Sequence, residues 1–359
     1  MNNNNYCVIM CGGVGSRFWP YSTEEKPKQF LDFFGTGRSL LQATYDRFHK
    51  IIPSENIYIV TNNSYADIIK EQLPDLHDNQ LLLEPMRRNT APAIAYAMYR
   101  IKAINENANM IVAPSDHLIL NESQFLDDVK KGLEFVSKNS VLFTLGIKPS
   151  RPETGYGYIQ VSEESKEGIH KVKTFTEKPN LELAKTFLQS GEFVWNSGIF
   201  FWNVQAIYNA FEKYIPDICN CFNDGKYIFG TSKEREFIHT NFPFCPNISI
   251  DYGILEKADN VYVNVSDFGW SDLGTWGSLH DMSGKDENYN ASINCKTLFI
   301  ESYDNVVTTP KDKLVVVQGL DGYIIAESEK ALLICKKEEE QRIKHFVTDV
   351  KFRYGDDFI

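Results

Sequence analysis

The sequence predicts an α/β fold built on a mixed, mostly parallel sheet, followed by a small C-terminal β-helix-like module. Apolar β-rich runs alternate with longer amphipathic stretches through the first half, the pattern of a sheet wrapped by helices. A Gly-rich loop follows the first apolar run, and the texture changes near residue 290 to short, regularly spaced β-rich pieces. A chain of 359 residues, 43% of them hydrophobic, can fill one large core and a smaller one. Strands are expected at residues 6–10, 57–61, 81–84, 110–113 and 141–147, with helices at 39–49, 65–72, 90–105 and 122–138. In the first of these helices Leu40, Leu41, Tyr45 and Phe48 share one face, and Ser39 suits the N-cap.

The middle, 155–265, is mixed, with strands expected at 156–161, 171–175 and 199–202 and helices between them. It reads as a continuation that builds a second lobe. From Leu298 onward the pieces 298–300, 306–307, 314–317, 323–325 and 331–335 recur at a spacing of roughly 8 to 10 residues. Asp304-Asn305, Lys311-Asp312-Lys313, Asp321-Gly322 and Glu329-Lys330 separate them as turns, and a charged helix over 336–346 closes the module. The boundary falls in the polar stretch 285–294, dividing the chain into 1–285 and 286–359.

A formal charge of −11 argues against nucleic acid or an anionic membrane surface as partner. No apolar run approaches the roughly 18 to 20 residues of a membrane span, and the N-terminus carries no basic flank of the signal-peptide kind. The seven cysteines form no paired zinc knuckle, since Cys219 and Cys221 stand too close, and they read as buried free thiols. A cytoplasmic protein is expected.

The apolar run Cys7-Val8-Ile9-Met10 enters Cys11-Gly12-Gly13-Val14-Gly15-Ser16-Arg17, with Lys26-Pro27-Lys28 after it. Gly12, Gly13 and Gly15 leave backbone N–H groups open to phosphate oxygens, and Arg17, Lys26 and Lys28 add positive charge. A tight turn alone would also account for the glycines. The Gly-Lys-Ser/Thr ending of a Walker loop is missing, and Phe18 stands where a dinucleotide fingerprint needs its third glycine, which disfavours a nicotinamide-dependent dehydrogenase.

Asp116 follows the expected strand 110–113 and would emerge at the sheet edge where the Gly loop begins, placed to hold a hard cation such as Mg²⁺ with substrate phosphates. A helix-capping turn is the competing reading, and His117 reads as a locally packed or hydrogen-bonded side chain. Asp272 lies in Gly269-Trp270-Ser271-Asp272-Leu273-Gly274, a framed turn that could equally be an N-cap. Glu84, Asn89 and Thr90 flank a helix start and suit hydrogen bonds to a base or ribose, though Asn89 or Thr90 can serve as a plain cap at the same time. Glu177-Lys178-Pro179 and Trp195-Asn196-Ser197-Gly198 offer groups for vicinal hydroxyls and a phosphate, or are ordinary turns. Gly155 and Gly157 would let a sugar lie against the backbone.

Taken in this order, the blocks resemble the sugar-1-phosphate nucleotidyltransferases, and specifically the bacterial mannose-1-phosphate guanylyltransferases. The resemblance runs from the Gly12–Gln29 segment through Arg88-Asn89-Thr90-Ala91-Pro92, Pro114-Ser115-Asp116-His117, Glu177-Lys178-Pro179, Trp195-Asn196-Ser197-Gly198 and Ser249-Ile250-Asp251-Tyr252 to Trp270-Ser271-Asp272-Leu273-Gly274. It implies a Rossmann-like, GT-A-like nucleotidyltransferase domain with a short β-helical C-terminal piece. It implies transfer of GMP from GTP to α-D-mannose 1-phosphate, giving GDP-mannose and pyrophosphate, by Mg²⁺-assisted in-line attack on the α-phosphorus. On this resemblance Arg17 and Lys28 contact the triphosphate along the Gly12, Gly13, Gly15 and Ser16 loop. Asp116 and Asp272 hold Mg²⁺, and Lys178 meets the sugar phosphate. Glu177, Asn196 and Gly155 contact the mannose, and Glu84, Asn89 and Thr90 lie near the guanosine. A homodimer is left open.

Two features depart from the family pattern. Many members continue into a metal-binding isomerase domain, so this chain is expected to be monofunctional, and Phe18-Trp19 follows Arg17 where relatives carry a smaller residue, a change expected in packing. Another sugar 1-phosphate as substrate, such as glucose 1-phosphate or a heptose phosphate, is the nearest alternative. A non-catalytic regulatory homologue is the alternative from another class.

Overall fold

A computed structural model describes residues 3–310 and 313–359. Lys311 and Asp312 of the expected Lys-Asp-Lys turn lie outside the described residues, as do Met1 and Asn2. The chain divides into two compact units. The first runs up to Gly12 and holds Tyr45–Pro114 and Ile119–Trp270; the second holds Gly13–Thr44, Ser115–Leu118 and Ser271–Ile359.

The sheet of the first unit opens with β1 (Asn5–Cys11), β2 (Ile57–Asn62), β3 (Leu81–Glu84) and β4 (Asn109–Pro114). Their Val, Ile and Leu residues are buried almost without interruption, as in strands covered on both faces. The segments between them hold α1 (Leu40–His49), α2 (Ala66–Gln72) and α3 (Thr90–Ile104). All four strands are parallel, with Cys7 opposite Ile57 on one side and Ile111 on the other. Ser39 caps α1 as expected: its Oγ accepts from the Gln42 N–H and the Gln42 Oε1 accepts from the Ser39 N–H.

After β5 (Leu118–Ile119), α4 (Glu122–Lys138) leads to β6 (Leu142–Ile147). The middle of the chain supplies β7 (Tyr158–Lys166), β8 (Ile169–Thr176), α5 (Leu181–Ser190), β9 (Phe193–Asn203), α6 (Val204–Tyr214), α7 (Pro216–Phe222), α8 (Glu234–Asn241) and β10 (Val261–Ser266). The finished sheet has nine strands in the order β3-β2-β1-β4-β9-β6-β10-β8-β7. It is mixed: β9 runs antiparallel between β4 and β6, while β10 pairs in parallel with β6. β9 begins earlier than its expected start at Ile199. Phe193, Val194 and Trp195 favour extended chain and pair with β7, so Trp195-Asn196-Ser197-Gly198 is strand rather than turn.

In the second unit, β11 (Trp270–Ser271) precedes α9 (Trp276–Met282), and six short strands follow. β12 (Ala291–Ile293), β14 (Val306–Thr308) and β16 (Tyr323–Glu327) stack in parallel, with β17 (Leu332–Lys336) antiparallel at the edge. β13 (Lys296–Ile300) and β15 (Leu314–Gln318) make a second parallel pair. From β12 to β16 successive pieces alternate between two sheets, which makes the module a short β-helix. Its turns are closed by buried amides: Asn305 donates to Asn290 Oδ1 at 2.9 Å and accepts from the Tyr323 N–H at 2.9 Å. The expected closing helix is shifted. Lys337–Arg342 form a 3₁₀ stretch and α10 runs Ile343–Tyr354, because Ile343, Phe346, Val347 and Val350 make an apolar stripe at helical spacing that packs on the core. That core joins Phe18, Trp19 and Phe33 to Trp276, Val306, Ile324 and Ile343. Phe18 meets Phe33 at 4.9 Å and Trp276 at 5.1 Å edge to face, so the Phe18-Trp19 departure is a packing feature.

Candidate active site

Within the second unit, Gly15, Ser16, Arg17, Lys28, Asp116, Asp272, Gly274 and Lys344 line one cleft of about 270 Å³. Gly15 has a φ of +70°, and a Cβ there would stand 2.8 Å from the Lys28 side chain; only glycine lets that stem pass. Lys28 is 7% exposed: its ammonium donates to the Asp272 carbonyl at 2.8 Å and the Leu273 carbonyl at 2.9 Å and pairs with Asp116 Oδ2 at 3.1 Å. Lys28 therefore ties the two acidic segments together. Asp272 Oδ1 accepts from the Gly274 N–H at 2.8 Å, and His117 Nε2 stands 4.0 Å from Asp116 Oδ1. Arg17 donates its Nε to Gln341 Oε1 at 2.9 Å. Lys26 is exposed and does not line the cleft.

This donor set suits a hard divalent cation. Two carboxylates share the cleft, and the Lys28 ammonium is already met by a carboxylate and two carbonyl oxygens, a wholly oxygen environment. Among the described residues no cluster of three or more His, Cys, Asp or Glu could hold a metal by itself. Substrate phosphates would have to complete the shell, which is the usual arrangement for Mg²⁺.

The first unit holds two further groups. Asn196 lies in β9, where its N–H donates to the Gly157 carbonyl and its Nδ2 donates to Asp251 Oδ1 at 3.1 Å. A Cβ on Gly157 would come 2.5 Å from Glu177 Oε2 and 3.3 Å from Asn196 Cβ, so glycine there allows both side chains to close in. Lys178 pairs with Glu177; burial opposes its charge, but that bond outweighs it and holds the ammonium above its usual range. Burial, and then the Glu177 charge, push the Asp251 carboxyl up to about 7. Glu177, Lys178, Asn196 and Asp251 thus stand together, whereas Gly155 bonds Glu153, its N–H meeting Oε1 at 3.0 Å.

At the end of β3, Glu84 is 6% exposed, and its buried Oε1 has no hydrogen-bond partner among the described residues. Its Oε2 faces Gly12, 3.9 Å from where a Cβ would be. Burial pushes its pKa up to about 7 against the pull of Arg87. Asn89 and Thr90 serve the backbone: Asn89 Oδ1 accepts from the Thr90 N–H at 2.9 Å, and Thr90 Oγ1 accepts from the Ile250 N–H at 2.9 Å. The expected cap is present, and it is Asn89.

The nucleotidyl transferase family model matches residues 6–289, and a mannoseP isomerase/GMP-like β-helix domain matches 296–350. A mannose-1-phosphate guanylyltransferase of Escherichia coli is 36% identical over 352 residues, covering 95% of this chain and 74% of that protein. The chain belongs to the mannose-1-phosphate guanylyltransferase family of nucleotidyl transferases. Another member, from Klebsiella pneumoniae, is 35% identical over 352 residues, 96% of this chain and 73% of the relative. Among solved structures, a Thermus thermophilus protein described as a mannose-1-phosphate geranyltransferase aligns with a TM-score of 0.87 at 27% identity, over 97% of this chain and 99% of that one. Family membership agrees with the nine-stranded mixed sheet and the short β-helix. No helix among the described residues is long and apolar enough to cross a membrane.

Two residues in these groups had no role in the sequence reading. Asp251 stands in Ser249-Ile250-Asp251-Tyr252, but its burial against Asn196 depends on a five-residue π-helical turn, Asp251–Leu255, that no local pattern announces. Lys344 lies in a charged run that reads as a solvated helix face.

Proposed function

We propose that the protein transfers GMP from GTP to α-D-mannose 1-phosphate, releasing pyrophosphate and GDP-mannose. The observation that carries this is the meeting of Arg17, Lys28, Asp116 and Asp272 in one cleft, in a chain whose relatives are named mannose-1-phosphate guanylyltransferases. The attacking oxygen of a sugar phosphate is already an anion, so the protein needs no strong general base. Its work is to hold two repelling anions and to stabilise the charge that builds on the α-phosphate and the departing pyrophosphate.

In this reading Arg17 neutralises the triphosphate, with the Gly13–Ser16 backbone beside it. Lys28 holds Asp116 and Asp272 in register through its ion pair and its two bonds to backbone carbonyls. Those carboxylates hold Mg²⁺, which when bound lends positive charge to the phosphates. Glu177 and Asn196 accept and donate to the mannose hydroxyls, with Gly155 on the same approach, and Lys178 meets the sugar phosphate. Glu84, with a buried oxygen lacking a partner, accepts from the N–H donors of guanine, near Asn89 and Thr90.

The test is to supply purified protein and Mg²⁺ with each of four nucleoside triphosphates and a panel of hexose and heptose 1-phosphates, measuring pyrophosphate and the nucleotide sugar. GTP with mannose 1-phosphate should give the highest kcat/KM. A higher value with another sugar phosphate would move the substrate assignment, and pyrophosphate release from no pair would support a regulatory homologue.

A further inference from the structure

The cleft that carries Arg17 contains a second cation without an acid partner. Among the described residues neither Arg17 nor Lys344 makes an ion pair, and the one side-chain bond of the Arg17 guanidinium goes to the neutral Gln341 amide. Lys28, by contrast, is engaged within the protein by an ion pair with Asp116 and two bonds to backbone carbonyls. Partial burial and the neighbouring Arg17 charge hold the Lys344 ammonium below its usual range. Two like charges kept at one cleft favour the entry of an anion between them.

The position of Lys344 is built. Ile343 is fully buried in the core that contains Phe18, which fixes the first turn of α10. Just before it, Glu340 accepts from the Gly277 N–H at 2.7 Å and Gln341 accepts from Arg17. Lys344 follows Glu340 by four residues, and the Trp19 indole N–H donates to the Phe358 carbonyl at 2.6 Å farther along. The residues after the β-helix are thus bonded to the Gly-loop segment on both sides of Lys344.

We propose that Lys344 is a triphosphate-binding residue which, with Arg17, neutralises the phosphates that leave as pyrophosphate. The C-terminal segment then supplies part of the nucleotide site. This rests on the reading of the cleft as a phosphate site, and the experiment separates the two. Binding of inorganic pyrophosphate with Mg²⁺ is measured by calorimetry on the full chain and on its Lys344→Met, Lys344→Arg, Arg17→Met and Lys351→Met forms. Lys351, paired with Asp356 at 2.7 Å, is the control on the same helix.

Lys344→Met should weaken pyrophosphate by about tenfold to a hundredfold, the loss of one charged hydrogen bond, and raise the KM for GTP alike. Affinity for mannose 1-phosphate and the melting temperature should not move, and Lys344→Arg should restore most of the loss. If Arg17→Met loses pyrophosphate and Lys344→Met does not, the inference fails while the phosphate cleft stands. If neither variant loses it, both fail, and an equal loss in Lys351→Met overturns the inference as a general charge effect.

Discussion

The cleft of the second unit and the polar group of the first use charge in opposite ways. In the cleft, Asp116 has its own cation in Lys28, and two further cations have no acid partner among the described residues. In the first unit the carboxylates are the excess: Asp251 sits against Asn196 with the Glu177 charge near it, and Glu84 is buried with one oxygen unmatched. A site with surplus cations takes a polyanion by electrostatics, and its affinity is insensitive to the fine position of hydroxyls. Buried carboxyls and amides instead reward a ligand that returns hydrogen bonds to each of them, which is how a sugar or a base is discriminated. On the proposed reading, charge neutralisation and recognition fall to different residues.

The largest effect should come from removing charge in the cleft. Asp272→Asn keeps an acceptor for the Gly274 N–H but loses the negative charge, and kcat should fall by about 10²–10³-fold, with binding of mannose 1-phosphate unchanged. Steady-state kinetics with a separate sugar-phosphate binding assay checks this; a fall in sugar affinity of the same size would break the division of labour.

Within the cleft, Lys28 and Arg17 should separate. Lys28→Met leaves Asp116 and two carbonyls without their donor at a site 7% exposed, so it should cost about 3 kcal/mol of stability as well as turnover. Arg17→Met should raise the KM for GTP and leave the melting temperature in place. Thermal melts beside kinetics read both, and equal loss of stability in the two variants would end the distinction between a structural tie and a ligand contact.

How far this was legible follows from where each residue gets its position. Asp116 and the Gly loop follow strands whose apolar runs are plain, so the topology alone brings Asp116 and Arg17 toward a common edge, and the strands and helices of the first half end within one residue of expectation. The grouping of Gly13–Thr44 with the C-terminal residues was not legible, because it rests on Phe18 and Trp19 packing against Trp276 and Ile343, far away in sequence. Lys344 was hidden for the same reason: in Lys336–Phe346 seven of eleven residues are charged, and only the tertiary position of one turn sets it apart. The role of Lys28 was read as a phosphate contact from its charge, while its two hydrogen bonds go to backbone carbonyls that a sequence does not display.

In the first unit the buried carboxyl should appear in the pH dependence of stability. An acid whose folded pKa is raised keeps its proton in the native state after the unfolded chain has lost it. Between the ordinary carboxyl range and about 7, the value for Asp251, the native state therefore binds more protons, and stability falls as pH rises, levelling off above that. Asp251→Asn retains a partner for Asn196 without an ionisation, so its melting temperature should exceed that of the wild type at pH 8, with the gap closing by pH 5. Parallel melting curves across that range would remove the contrast between the two regions.

The smallest effect tests whether Asn89 belongs to recognition or to the backbone. It caps α3 by accepting from the Thr90 N–H, and its own φ of 63° lies in the left-handed region, where most residues are strained. If capping is its whole role, Asn89→Ala should cost about 1 kcal/mol, from the lost bond and a side chain poorly suited to that φ. Asn89→Gly, which tolerates both, should lose only a few tenths. If the amide also contacts the guanosine, Ala and Gly remove it equally, and the KM for GTP rises by the same factor in both. Stability that differs between the two variants while KM is unchanged assigns Asn89 to the backbone. KM that rises equally in both assigns it to the nucleotide, and would add a group to the recognition side of the comparison that no charge reveals.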